Sequence, residues 1–240
     1  MHTVAHIRVP ETLDADRANR LADAVEVCDA AVIVLEGHPE TFCRGMDFTA
    51  LIGASDDRAI GLGIAAFARC VRAIRAAEMP VIAVVDGAAL GGGVGIAAAS
   101  DYVIATQRST FGLPEALFGL VPGIVLPVLR DRMTVQQART LAMGPHARGV
   151  AEAQRLGLVD LAVAEPERDA AVRRIIKELS RATRGAVKAL RRLAAETASL
   201  ATDAAITRGA ELTGGLLRSP SVIAALRSYV EGEEAPWLSE

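Results

Sequence analysis

A chain of 240 residues, with 51% apolar and 23% charged residues, has the balance of one globular domain with material for a substantial core. The net charge is −3, Lys and Arg are dispersed, and only 3% of residues are aromatic, so neither a basic footprint nor base-stacking platforms are present and nucleic-acid binding is not expected. Cys28, Cys43 and Cys70 are odd in number and lack C-x-x-C spacing, which argues against a disulfide framework and against a zinc site. Met1-His2-Thr3-Val4 shows no basic stretch followed by an apolar run, and no apolar segment reaches about 18 residues without charge. Neither a signal peptide nor a membrane span is expected, and the expected compartment is the cytoplasm.

In chain order, the first clear element is the apolar run Ala31–Leu35, read as a strand buried on both faces. Directly after it comes GHPETFCRGMD, Gly37–Asp47. Irregular backbone at the C-terminal end of a strand is where α/β sheets usually bind ligands, and Gly45 allows a turn that frees the next N–H, that of Met46. A plain β–α turn with Asp47 as helix N-cap is the competing reading. Ile60, Ile64, Phe67, Val71 and Ile74 then recur at alternating steps of four and three, the stripe of an amphipathic helix that Pro80 stops. Cys43 is expected to be a buried small residue rather than a nucleophile.

A second buried strand, Val81–Val85, leads into DGAALGGGVGIAAAS, Asp86–Ser100. Three glycines and then small residues suggest a tight turn opening a closely packed helix, whose first N–H groups lie unpaired at the positive end of the dipole. A dinucleotide fingerprint fails because Ile96 stands where the third glycine belongs, and a P-loop fails because no G-K-[ST] follows. An anion site of another kind and a simple close-packing turn both remain. After a third strand, Tyr102–Ala105, comes STFGLPEALFGLVPG, Ser109–Gly123. Glu115, set before Ala116-Leu117-Phe118, reads either as a carboxyl raised in pKa by apolar surroundings or as a solvated glutamate at a helix start. Strand and helix alternate over the first 150 residues, which favours an α/β layered fold. Beyond that the pattern is helical: Val172, Ile175, Ile176 and Leu179 form one stripe, Val187, Leu190 and Leu193 another, and a last helix follows Pro220.

Taken in series, FCRGMDF, PVIAVVDGAALGGGVGIAAASDYVIA and FGLPEALFGLVPG resemble the crotonase, or enoyl-CoA hydratase/isomerase, superfamily. The likeness is dense over residues 31–123 and looser to about 163, where AEAQRLGLVD resembles the family's helix-turn. It implies a spiral of strand–strand–helix units over 1–165 and a helical, trimer-forming region over 166–240 of the same domain. It also implies assembly as a homotrimer or hexamer. The family's oxyanion hole falls on the backbone N–H groups of Met46 and Gly92, with Arg44, Gly45, Asp47 and Gly91 against the substrate, an acyl-CoA or acyl carrier protein thioester. Coenzyme A or phosphopantetheine enters only as part of that substrate; no other cofactor and no metal are implied.

Hydratases of the family carry two glutamates. Glu115 matches the second, but Gly95 stands where the first belongs. The later glycine-rich patch is replaced by Ile124-Val125-Leu126-Pro127 after Pro122-Gly123, and EGEEAPW, residues 231–237, lacks the basic residue many relatives have before the proline. VLEG, FCRGMDF and FGLPEALFGLVPGIVLPVL are similar to the polyketide β-branching dehydratases, which remove water from a 3-hydroxy-3-methylglutaryl group on an acyl carrier protein. The expectation is therefore dehydration of a 3-hydroxyacyl thioester with Glu115 as sole acid/base. A double-bond isomerase and a non-catalytic subunit of the same fold stay open.

Overall fold

The computed structural model describes residues 3–47, 57–144 and 146–231. Met1, His2, Phe48 and the tail Gly232–Trp237 lie outside them, so the expectations attached to those residues find no structural account. Five parallel strands form the main sheet in the order β1 (Val4–Arg8), β2 (Val32–Glu36), β4 (Val81–Val85), β6 (Tyr102–Thr106), β9 (Leu161–Val163). A second sheet runs β3 (Thr41–Cys43), β5 (Ala88–Leu90), β7 (Thr110–Gly112), β8 (Arg148–Gly149), parallel except for the β7–β8 pair. Strands β2, β4 and β6 of the main sheet are each followed at once by a short strand in the other sheet. Helix α2 (Asp57–Ala76) comes after β3, α3 (Gly92–Ala99) after β5, and a 3-10 turn (Pro114–Phe118) after β7, followed by α4 (Val125–Leu129) and α5 (Val135–Met143). This is the expected strand–strand–helix spiral.

The period-two geometry of a strand divides the apolar runs between two cores. Ile33 and Leu35 of β2 and Ala83 and Val85 of β4 meet the layer built on α1 (Ala15–Glu26), α2 and α3. Val32, Val34, Ile82 and Val84 meet Val172 and Ile175 of α7 (Arg168–Leu179) on the other face. A strand covered on both faces needs no polar alternation, which is why these segments read as continuous apolar runs. Asp14 caps α1 by accepting the Arg17 N–H at 2.7 Å.

Two expectations need correction. The chain is not helical throughout after residue 150, because β9 pairs with β6 beyond α6 (Val150–Arg155). A three-residue strand is too short to carry a pattern, and its partner lies more than fifty residues away. The Val187, Leu190, Leu193 stripe does not face the core either: in α8 (Arg184–Thr197) Val187 is buried but Leu190 is 64% exposed. Ion pairs Arg191–Asp101 and Lys188–Glu78 tie α8 to the body of the domain. Helices α9 (Thr202–Leu216) and α10 (Pro220–Val230) come next, and Ile206, Leu217, Leu226 and Val230 are exposed. No helix among the described residues is long and apolar enough to cross a membrane.

Candidate active site

The turn after β3 is held on all sides. Arg44 N–H donates to Glu11 C=O at 2.7 Å, Asp47 N–H to Leu13 C=O at 2.8 Å, and Gly45 C=O accepts the Leu13 N–H at 2.8 Å. Gly45 N–H reaches the Cys43 sulfur at 3.4 Å. Met46 N–H is the one amide of Arg44–Asp47 with no acceptor among the described residues. Gly45 sits at φ +82°, a conformation that favours glycine, and a Cβ there would lie 2.7 Å from the Gly92 nitrogen and 2.8 Å from the Leu90 carbonyl oxygen.

The second turn therefore abuts the first. Gly91, at φ +50°, donates its N–H to Gly112 C=O at 2.8 Å, and Gly92 opens α3 with its N–H unpaired among the described residues, as expected of a first helical position. All eight residues of α3 are buried, Val94 and Ile96 among them, and a Cβ at Gly93 would strike the Cys43 carbonyl, so the helix packs closely at its glycines. A side chain on Gly92 would meet the Phe67 ring at 3.0 Å.

Glu115 rides on the 3-10 turn and reaches the glycines: a Cβ at Gly91 would lie 3.0 Å from its Oε1. Its Oε2 is buried with no hydrogen-bond partner among the described residues. Burial pushes the Glu115 carboxyl above the ordinary glutamate range, offset in part by a hydrogen bond to its own backbone. The direction matches the sequence reading, but the source does not. Leu117 and Phe118 are 59% and 64% exposed, so the apolar surroundings come from elsewhere in the fold.

They come from a cavity of about 320 Å³ whose wall includes Met46, Gly91, Gly92 and Glu115 together with Ile64, Phe67, Val121, Ile124 and Val125. Arg44 also lines it, its guanidinium 3.1 Å from the Glu11 carboxylate. Asp47 does not line it. Its carboxylate lies 3.7 Å from the Arg17 guanidinium, which ties the turn to α1. Sequence reasoning passed over the strap Glu11–Leu13 and the wall residues Phe67 and Val125, since nothing local marks a strand-like strap or a cavity wall. Asp86 is an ion-pair centre: Arg108 and Arg168 hold its carboxyl below the usual aspartate range.

Position 95 is closed as well as bare. A Cβ on Gly95 would stand 2.9 Å from Val125 Cγ2 and 3.2 Å from Phe67 Cζ. Cys43 is fully buried, and desolvation pushes its thiol up to about 12, so it stays protonated and is no nucleophile.

Paired strands feeding two sheets, with glycine turns meeting at their C-terminal ends over one buried carboxyl, define a crotonase-fold enzyme. The solved structure of Pseudomonas aeruginosa AtuE superimposes with TM-score 0.89 at 26% identity, covering 99% of this chain and 96% of that one. A sequence model of the enoyl-CoA hydratase/isomerase family matches residues 5–240, and the chain belongs to that family. It is 30% identical over 210 residues to a probable enoyl-CoA hydratase of Rhodobacter capsulatus, spanning 85% of this chain and 79% of that protein. It is 28% identical over 223 residues to the bacillaene synthase dehydratase PksH of Bacillus subtilis, spanning 88% and 81%. The chain is accordingly an enzyme of the lyase or isomerase kind.

Proposed function

We propose that the enzyme dehydrates a 3-hydroxyacyl thioester, using Glu115 as its single acid/base and the Met46 and Gly92 N–H groups as donors to the thioester oxygen. The observation that carries this reading is the pairing of a carboxyl whose Oε2 has no hydrogen-bond partner among the described residues with a position 95 sealed by Val125 and Phe67, which leaves Glu115 the one acidic side chain among the described residues of the cavity wall. Glu115 takes the proton from the carbon next to the thioester. The charge moves onto the thioester oxygen, where preorganised N–H donors aimed at developing charge stabilise it. The enolate then re-forms the carbonyl and expels hydroxide from the neighbouring carbon, and Glu115 returns its proton to make water. Nothing is oxidised or reduced, and no group is needed beyond the carrier arm of the substrate.

Likeness to a protein named as a bacillaene synthase dehydratase supports the dehydration direction, and 3-hydroxy-3-methylglutaryl on an acyl carrier protein is the acyl group we propose, with the CoA thioester as the other possible carrier. A double-bond isomerase also needs a single shuttling carboxyl, moving a proton from the second carbon to the fourth. Purified enzyme offered 3-hydroxyacyl and 3-enoyl thioesters separates the two. Water loss from the hydroxyacyl substrate alone is expected, double-bond migration alone would replace the reading with an isomerase, and turnover of neither would leave a non-catalytic subunit.

A further inference from the structure

We propose that Cys43 is a positioning residue: its sulfur accepts the Gly45 N–H and thereby leaves Met46 as the one amide of the turn without an acceptor among the described residues, aimed at a substrate carbonyl. The inference rests on the donor role proposed for Met46. Three of the four N–H groups in Arg44–Asp47 are bound, two by carbonyls of the strap Glu11–Leu13 and one by Cys43 Sγ at 3.4 Å. Gly45 is buried, so without that sulfur its N–H either stays unsatisfied or rotates and carries Met46 out of line.

Cys43 touches the second donor turn as well. A Cβ on Gly93 would fall on the Cys43 carbonyl, so the first turn of α3 is seated directly on this residue. The β3–β5 ladder is irregular here, pairing Thr41 with Ala88 but Cys43 with Ala89. One extra residue in a strand re-aims the backbone beyond it, and this irregularity lies immediately before the turn. One residue thus sets the spacing of both donors. Because burial keeps the thiol neutral, it adds no charge beside the developing enolate. Sulfur is a weak acceptor, which makes the serine substitution informative: an oxygen accepts better though its bond to carbon is shorter.

The test uses a thioester that cannot turn over, the pantetheine thioester of 2,2-dimethylpropanoate labelled with carbon-13 at the carbonyl, which has no proton to lose. Difference infrared spectroscopy reads how far the bound carbonyl stretch falls in the wild type, Cys43→Ala, Cys43→Val and Cys43→Ser. The two apolar variants err on opposite sides of the native volume, so a change common to both reports the lost acceptor and not packing. We expect the wild-type downshift to shrink to roughly half or less in Ala and Val and to return in Ser, as for loss of one aligned donor. A wild-type downshift that persists undiminished in Ala and Val overturns the positioning role while leaving the donor reading intact. No downshift in the wild type overturns both. Should neither apolar variant fold, amide hydrogen exchange on the wild type decides: protection at Gly45 with fast exchange at Met46 supports the role, and equally fast exchange at both overturns it.

Discussion

Glu115 is the residue on which the proposed chemistry turns. Glu115→Gln keeps shape and hydrogen bonding but accepts no proton. General acid–base catalysis contributes typically about 10²–10⁴-fold, so kcat is expected to fall at least about a hundredfold while thioester binding persists. Exchange of the α-deuterium of a 3-hydroxyacyl thioester with solvent should vanish with it; exchange that survives in the variant points to another base. The raised carboxyl has a pH signature of known sign. The folded state holds its Glu115 proton to higher pH than the unfolded chain, so this group's contribution to stability is present below the ordinary glutamate range and is lost as pH rises through the raised value. Melting curves across pH should therefore show Glu115→Gln gaining on the wild type as pH rises, whereas a constant gap would mean the carboxyl is not desolvated. At the donors, Gly92→Val meets the Phe67 ring and should abolish activity in a folded protein. Met46→Ala keeps its N–H and should cost far less in kcat; equal losses would contradict main-chain donation.

At the scale of elements, α2 carries two functions on one stripe. Phe67, Val71 and Ile74 are buried in the core, Phe67 also forming part of the cavity wall, but Ile64, one turn earlier, is 49% exposed and faces the cavity. Ile74→Ala is expected to destabilise the fold by about 2–5 kcal/mol, the usual range for a buried isoleucine, with KM unchanged once folded. Ile64→Ala should do the reverse, raising KM with little change in denaturation midpoint. The contact between α3 and the segment after Pro122 is equally specific. Gly95→Ala sets a methyl against Val125 and should lower the melting temperature, and Val125→Ala in the same chain should restore part of the loss. If the double variant is as unstable as the sum of the two singles, Val125 is not what closes position 95.

Across the whole molecule, the C-terminal pair α9 and α10 leaves an apolar face uncovered, where Ile206, Leu217, Leu226 and Val230 remain exposed in the single chain. Apolar faces of this kind are usually covered, and closed homo-oligomers are the common means, so we propose that these helices pack against other copies in a trimer or a pair of trimers. Light scattering should give at least three times the monomer mass at micromolar concentration; a monomer there would remove the proposal. The strand runs and the glycine turns were legible in the sequence because each is a local requirement: two-face burial writes an unbroken apolar run, and close backbone approach admits only glycine. The family resemblance likewise lay in those segments, in their order and spacing. Tertiary structure alone decided the rest. That the Met46 amide is left over after Glu11, Leu13 and Cys43 take its neighbours, that Phe67 and Val125 seal position 95, and that the cavity wall rather than Leu117 and Phe118 desolvates Glu115 all depend on residues far apart in the chain. No local pattern encodes which side chain will stand opposite another; packing settles that once the two sheets are in place.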